Sequence, residues 1–382
     1  MRILVLTDPF KGTLSPEEVY ETLQSVLPEE DWDFFPMSDG GEGTLDSYRL
    51  LYPEAKDEEI LLSGIRREGK RKASFLRIGE EAILESSQAI GFVSEKEDPN
   101  RDPFAFSSYP LGEMVKACKD LGIKKLRIGL GGTATSDGGA GLLEALGFTF
   151  FSKEGILHPV GRNLEKITSF SFPQGYQEEE EERPEITILS DVKNPLLGDK
   201  GAIASFARQK GGKEEEFPRM EEGLQNYSRI LEKGFASSCS LLPGAGAAGG
   251  AGFALLLLGG KIVSGASALL QEKKVIEKMK KADLIITGEG RIDATTLNGK
   301  AAYEVYRKAV GLKKKVLFVC GSYDPKTKKE LTGNYTEGFV SALKEGEAPS
   351  SFDLSKEGAR KNLASSFASS SLPCLRNRKK LN

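Results

Sequence analysis

The chain has 382 residues, 39% of them hydrophobic and 29% charged, with a formal net charge of −3. That length exceeds one ordinary core and predicts two domains, while the charge balance leaves no electrostatic footprint for nucleic acid or an anionic membrane. With a single histidine, His158, and four scattered cysteines (Cys118, Cys239, Cys320, Cys374) lacking metal-ligand spacing, carboxylates and lysines must carry any catalysis. The N-terminus, MRILVLTDPFKG, has no signal-like h-region, and no apolar run reaches membrane-span length. A cytosolic protein is expected.

Residues 2–7, RILVLT, are an apolar run short enough for a buried parallel strand. Asp8, Lys11, Gly12 and Thr13 follow, at the strand end where open α/β sheets place ligands. Lys11 could pair with a phosphate or carboxylate; a solvated loop lysine is the commoner alternative. Ser15-Pro16-Glu17-Glu18 then opens a capped helix. A second strand is predicted over 33–37, closed by Ser38-Asp39-Gly40-Gly41-Glu42-Gly43-Thr44 before a helix carrying Leu45, Tyr48 and Leu51. Capping explains one acid there, but not Asp39, Glu42 and three glycines together.

From about Glu58 the pattern alternates and turns at Gly64, Gly69 and Gly79, which predicts an antiparallel meander. A helix is expected over 108–121 and a further hairpin over 148–159. Between them, residues 128–147 read IGLGGTATSDGGAGLLEALG, a strand, a glycine-rich loop and a helix. Glycines there let backbone approach a ligand, a helix N-terminus offers unpaired N–H groups, and Thr133, Thr135 and Ser136 add donors. A tight turn whose glycines only permit close packing is the alternative.

The acid run at 177–183 reads as a solvated loop. A strand over 186–189 ends in Ser190-Asp191-Val192-Lys193-Asn194-Pro195, where Asp191 is placed for a base or, alternatively, a cap. Helices are expected over 202–207 and 213–231. Residues 242–252, LPGAGAAGGAG, form the densest glycine loop, for which close packing is the favoured sole reading. A strand over 283–287 runs into Gly288-Glu289-Gly290-Arg291-Ile292-Asp293, which looks like a phosphate cradle with charge partners. A last strand is expected over 315–320, and the Ser- and Lys-rich tail, 365–382, is expected to fray.

Strand ends rich in Gly, Asp, Glu, Lys and Thr imply a polyanionic ligand held with metal, which suits phosphoryl transfer. An NAD-linked dehydrogenase would need a G-x-G-x-x-G directly after a strand and an acid about 20 residues on, and no such combination is found. A non-catalytic binding sensor would have lost acids, and Asp39, Asp137, Asp191 and Asp293 all remain.

The stretches DPFKGTLS (8–15), PMSDGGEGT (36–44), IGLGGTATSDGGAG (128–141), SDVKNPLLGDKGA (190–202), PGAGAAGGAG (243–252) and ADLIITGEGRIDATTLNGK (282–300) occur in one order. In them the chain resembles bacterial class I glycerate kinases along nearly its whole length. The resemblance implies an α/β fold, a Rossmann-like parallel-sheet domain with a second, smaller α/β domain and an interdomain cleft. The boundaries expected are 1–57 with 186–382 for the first and 58–185 for the second.

It further implies phosphorylation of D-glycerate by ATP with Mg²⁺, to 2-phosphoglycerate more than 3-phosphoglycerate, by a monomer or homodimer. Asp191 would be the base; Lys11 and Arg291 would bind substrate carboxylate or the transferring phosphate. Asp8, Asp39, Glu42, Asn194 and Glu289 would line the substrate site, with Asp39 and Asp293 as metal ligands. Gly131, Gly132, Thr133, Thr135 and Ser136, with Gly246 and Gly249, would hold the nucleotide. Lys193, inside the D-V-x-N-P motif, stands where a smaller polar residue is expected and leaves a related hydroxy acid open as substrate.

Overall fold

The computed structural model describes residues 1–10, 13–176, 183–343 and 355–370. Lys11 and Gly12, all of the acid run but Arg183, and 371–382 with Cys374 lie outside these. The chain opens with β1 (Arg2–Thr7) and β2 (Asp31–Phe34). Strands β3 (Lys56–Ser63), β4 (Lys70–Ile78), β5 (Glu81–Glu85) and β6 (Lys125–Gly129) follow. Next come β7 (Thr149–Ser152), β8 (Gly155–Leu157), β9 (Ser169–Ser171), β10 (Glu185–Leu189) and β11 (Lys261–Val263). Last are β12 (Leu284–Ile292), β13 (Lys315–Tyr323) and β14 (Thr336–Ser341).

Two compact units result, Met1–Asp39 with Ala266–Asn382, and Gly40–Gly265. This division differs from the expected boundaries. Strand β10 pairs with β6, and β11 with β10, so residues 186–265 belong with the middle of the chain. The unit expected to be smaller is the larger, and it owns residues 128–147.

The first unit is built on a five-stranded sheet of order β14-β13-β12-β1-β2, parallel throughout. Ile3–Leu6 are all 0% exposed, as a strand covered on both faces requires. Val19 and Leu23 pack with Ile3, Val5, Leu284, Ile286, Leu317 and Val319. The helix Pro16–Val26 starts in a capping box: Ser15 Oγ accepts from the Glu18 amide at 3.2 Å, and Glu18 Oε2 accepts from the Ser15 amide at 2.9 Å. Ser15→Ala is expected to cost about 1 kcal/mol of stability, read as a lower urea midpoint at unchanged slope. Residues 365–369, expected to fray, instead close the helix Lys356–Ser369, where Phe367 enters the core with Leu363; the rest of the expected tail beyond residue 370 lies outside the described residues.

The second unit carries a sheet of order β11-β10-β6-β5-β4-β3. Its first four strands are parallel; β4 and β3 continue it antiparallel, as the expected meander. The expected hairpin is β7 with β8, joined by β9 into a separate antiparallel sheet. No helix among the described residues is long and apolar enough to cross a membrane.

Candidate active site

In the first unit, β1 leads outward to β2, whereas β12, β13 and β14 wind the other way. Adjacent β1 and β12 therefore form the switch point of the sheet, the position at which open α/β sheets leave a crevice for ligands. Half-buried Asp8 follows β1, its amide donating to the Gly288 carbonyl at 3.0 Å. Residues beyond β2 continue beside β1 through Phe35 N–H to Val5 O (3.0 Å) and Met37 N–H to Thr7 O (3.2 Å). Two residues later the chain delivers half-buried Asp39 to the same end of the sheet. Lys11, expected here, lies outside the described residues.

The Gly288–Ile292 segment differs from the expected cradle. It is not a loop: β12 runs through Ile292 and pairs with β13 as far as Tyr323. Glu289 is buried and its carboxylate is already engaged, accepting from Thr296 Oγ1 at 2.7 Å and Lys300 Nζ at 2.8 Å. Arg291 is exposed, its Nε 3.6 Å from Asp293 Oδ2. Asp293 Oδ1 accepts from the Thr295 amide at 2.9 Å and the Thr295 hydroxyl at 2.6 Å. The Thr295 hydroxyl foremost, with the Thr295 amide, Lys300 and Arg291 acting likewise, holds the Asp293 carboxyl below the usual carboxylate range.

In the second unit, β5, β6, β10 and β11 finish side by side, bringing Glu85, Gly129, Leu189 and Val263 level. The Gly40–Gly43 turn lies against these ends, backbone on backbone. A Cβ on Gly40 would stand 2.3 Å from the Leu189 carbonyl oxygen, and one on Gly131 2.6 Å from Gly41 Cα. Glu42 is exposed on that turn. Asp191 sits two residues beyond β10; it is half-buried overall, with both carboxylate oxygens sheltered from solvent. Asn194 Nδ2 donates to Lys200 O at 2.8 Å and Ser205 Oγ at 3.0 Å. Its own carbonyl accepts from the amides of Gly244 and Gly246. That residue ties two loops together through its backbone and amide.

Sequence reasoning missed Glu85, a buried acid at the end of β5. It accepts from Ser87 Oγ at 2.5 Å and the Leu45 amide at 3.2 Å. Gly43 at the N-cap of helix Thr44–Leu51 has no side chain to offer, so Glu85 supplies the capping oxygen from across the sheet. Burial pushes the Glu85 carboxyl up, opposed by those two hydrogen bonds. Its only trace in the sequence is Glu-Ser-Ser at the end of an alternating strand.

The loop after β6 is mostly enclosed. Gly132 is exposed and Gly131 half-buried, Thr133 is 5% exposed, and Thr135, Ser136 and Asp137 are buried. Asp137 accepts from Ser108 N, Ser108 Oγ, Gly139 N and Gly141 N. Four of the residues expected to bind nucleotide, Thr135, Ser136, Gly246 and Gly249, are buried. A Cβ on Gly249 would lie 1.9 Å from the Thr135 carbonyl oxygen, and one on Gly246 2.2 Å from that of Pro195. Gly131, Gly132 and Thr133 remain as a rim, bridged by Gly91 pairing with Thr133 and by Ser86 Oγ on the Gly131 amide at 3.2 Å.

Residues 3–370 match the model of the glycerate kinase family. The chain belongs to that family. A glycerate kinase of Bacillus cereus is 34% identical over 85% of this chain and 86% of its own. The glycerate 2-kinase of Escherichia coli K12 is 30% identical over 84% of this chain and 85% of its own. A crystal structure from Salmonella typhimurium LT2, of a protein assigned as glycerate kinase 2, superposes with a TM-score of 0.77 at 28% identity. It covers 100% of this chain and 99% of that one. As a member of this family, the protein is an ATP-dependent kinase of a small molecule, with a two-domain α/β fold.

Proposed function

We propose that the protein transfers the γ-phosphate of ATP to D-glycerate, at the 2-hydroxyl in preference to the 3-hydroxyl, in the cytoplasm. The observation that carries this reading is Asp191, an acid with sheltered oxygens just beyond the end of a parallel strand. The glycerate hydroxyl oxygen attacks the γ-phosphorus, the bond from that phosphorus to the β,γ-bridging oxygen breaks, and ADP leaves. The hydroxyl proton passes to the Asp191 carboxylate, which is the base. Arg291, exposed and only loosely held by Asp293, binds the glycerate carboxylate or the transferring phosphate, a role Lys11 shares. Asp8, Asp39, Glu42 and Asn194 are the further candidates for binding substrate. Glu289 contributes by fixing Lys300 and Thr296. The rim Gly131–Thr133 receives nucleotide phosphate.

Among the described residues no group of three His, Cys, Asp or Glu could hold a metal by itself. That suits Mg²⁺ delivered on ATP, which needs one or two carboxylates besides phosphate oxygens. Asp39 and Asp293 offer such oxygens, Asp293 through Oδ2 while Oδ1 holds Thr295. Mg²⁺ bound there would neutralise charge developing on the phosphates.

The test is a ³¹P NMR time course with ATP, Mg²⁺ and D-glycerate. A new phosphomonoester resonance split by one CH proton is expected, the mark of 2-phosphoglycerate. Splitting by a CH₂ pair would assign the 3-position. No new resonance would end the glycerate reading and turn the assay to related hydroxy acids.

A further inference from the structure

Lys210 is 5% exposed, a burial that lysine accepts only when its ammonium is paired. It closes the short 3₁₀ turn Arg208–Lys210, after which Gly211 at φ 98° redirects the chain. Its Nζ donates to the Thr135 carbonyl at 2.7 Å and lies 3.4 Å from Thr133 Oγ1. The Thr135 carbonyl is thus held by Lys210 and abutted by Gly249. Burial pushes the lysine down to about 8, and the nearby Asp137 opposes that fall. The reaction proposed above uses neither group. Yet the loop passes from exposed Gly132 to fully enclosed Thr135 within three residues, so whatever fixes Thr133 and Thr135 also fixes the rim.

We infer that Lys210 is a positioning residue for the nucleotide, holding Gly131–Thr133 through Thr133 and Thr135 in the conformation that receives the phosphates of ATP. The inference rests on the reading that this rim contacts nucleotide. A lysine that served only the fold would affect both substrates alike. One that sets the rim acts on ATP alone.

The experiment uses the full chain. Hydrogen–deuterium exchange at the Gly131, Gly132 and Thr133 amides, with and without Mg²⁺ and β,γ-imido-ATP, tests the underlying reading; nucleotide should protect them. Absence of protection in the wild type overturns that reading and the inference with it. Given protection, Lys210→Met should raise KM for ATP about tenfold, the loss of a charged hydrogen bond, with KM for glycerate within about twofold. Lys210→Arg, which retains donors, should recover part of the loss. A folded Lys210→Met with wild-type KM for ATP, or with both KM values raised equally, overturns the role of Lys210. Should Lys210→Met fail to fold, Thr133→Val removes the hydroxyl while keeping the lysine. It should raise KM for ATP about threefold, and no rise would overturn the inference.

Discussion

Asp191→Asn is expected to lower kcat by about two to four orders of magnitude while leaving nucleotide affinity close to the wild-type value. The substitution keeps size and shape and removes the charge and the basic oxygen. It also separates the two readings the sequence leaves open, because asparagine caps turns and helices as well as aspartate does. If Asp191 only closed the turn after β10, the change would be nearly silent. Its sheltered oxygens argue for more, since an acid that only closed a surface turn would face water. Steady-state kinetics with ATP and glycerate, alongside nucleotide titration by calorimetry, decide the matter. A wild-type kcat would remove Asp191 from the reaction.

The second large effect is structural. Gly249→Ala is expected to cost about 2–5 kcal/mol, combining the strain of a side chain at positive φ with overpacking. Gly249 has φ 68°, and its added Cβ would lie 1.9 Å from the Thr135 carbonyl oxygen and 3.0 Å from Ser136 Cα. Backbone cannot rotate aside as a side chain can. The Gly249 carbonyl also accepts from the Gly138 amide at 3.0 Å, so relaxing one loop pulls on the other. A fall in Tm of roughly 10 °C is expected by thermal unfolding. Gly311→Ala, at the end of helix Ala301–Gly311 with nothing near its added Cβ, should be neutral or raise Tm. A wild-type Tm for Gly249→Ala would mean that these loops are not packed as described.

The sequence alone was sufficient for several strands of the parallel sheets, though not for β11 and β14. Residues 3–6 are an unbroken apolar run and 186–189 are broken only by Thr187, the pattern of a strand covered on both faces. It was sufficient, too, for the family, through six motifs in one order, and for acids lying beyond strand ends, such as Asp8 and Asp191. The extent of β12 was not legible: GEGRI reads as a loop by composition, and only pairing with β13 makes it a strand. Nor was the unit boundary, since strand partners such as β10 and β6 are distant in sequence and nothing local encodes their pairing. The ordered helix at 365–369 depended likewise on a core for Phe367 to enter.

Tertiary structure also decided which glycines are exposed and which face another backbone. Gly132 and Gly249 look alike in sequence; one is exposed and the other abuts the Thr135 carbonyl. Glu85 and Lys210 carried no motif because their meaning lies in partners far along the chain, the Leu45 amide and the Thr135 carbonyl. A sequence records the propensity of each residue and its near neighbours, which determines elements and end-of-strand chemistry. Burial and long-range hydrogen bonding are properties of the assembled chain, and here they decided which of the candidate residues are enclosed and which exposed.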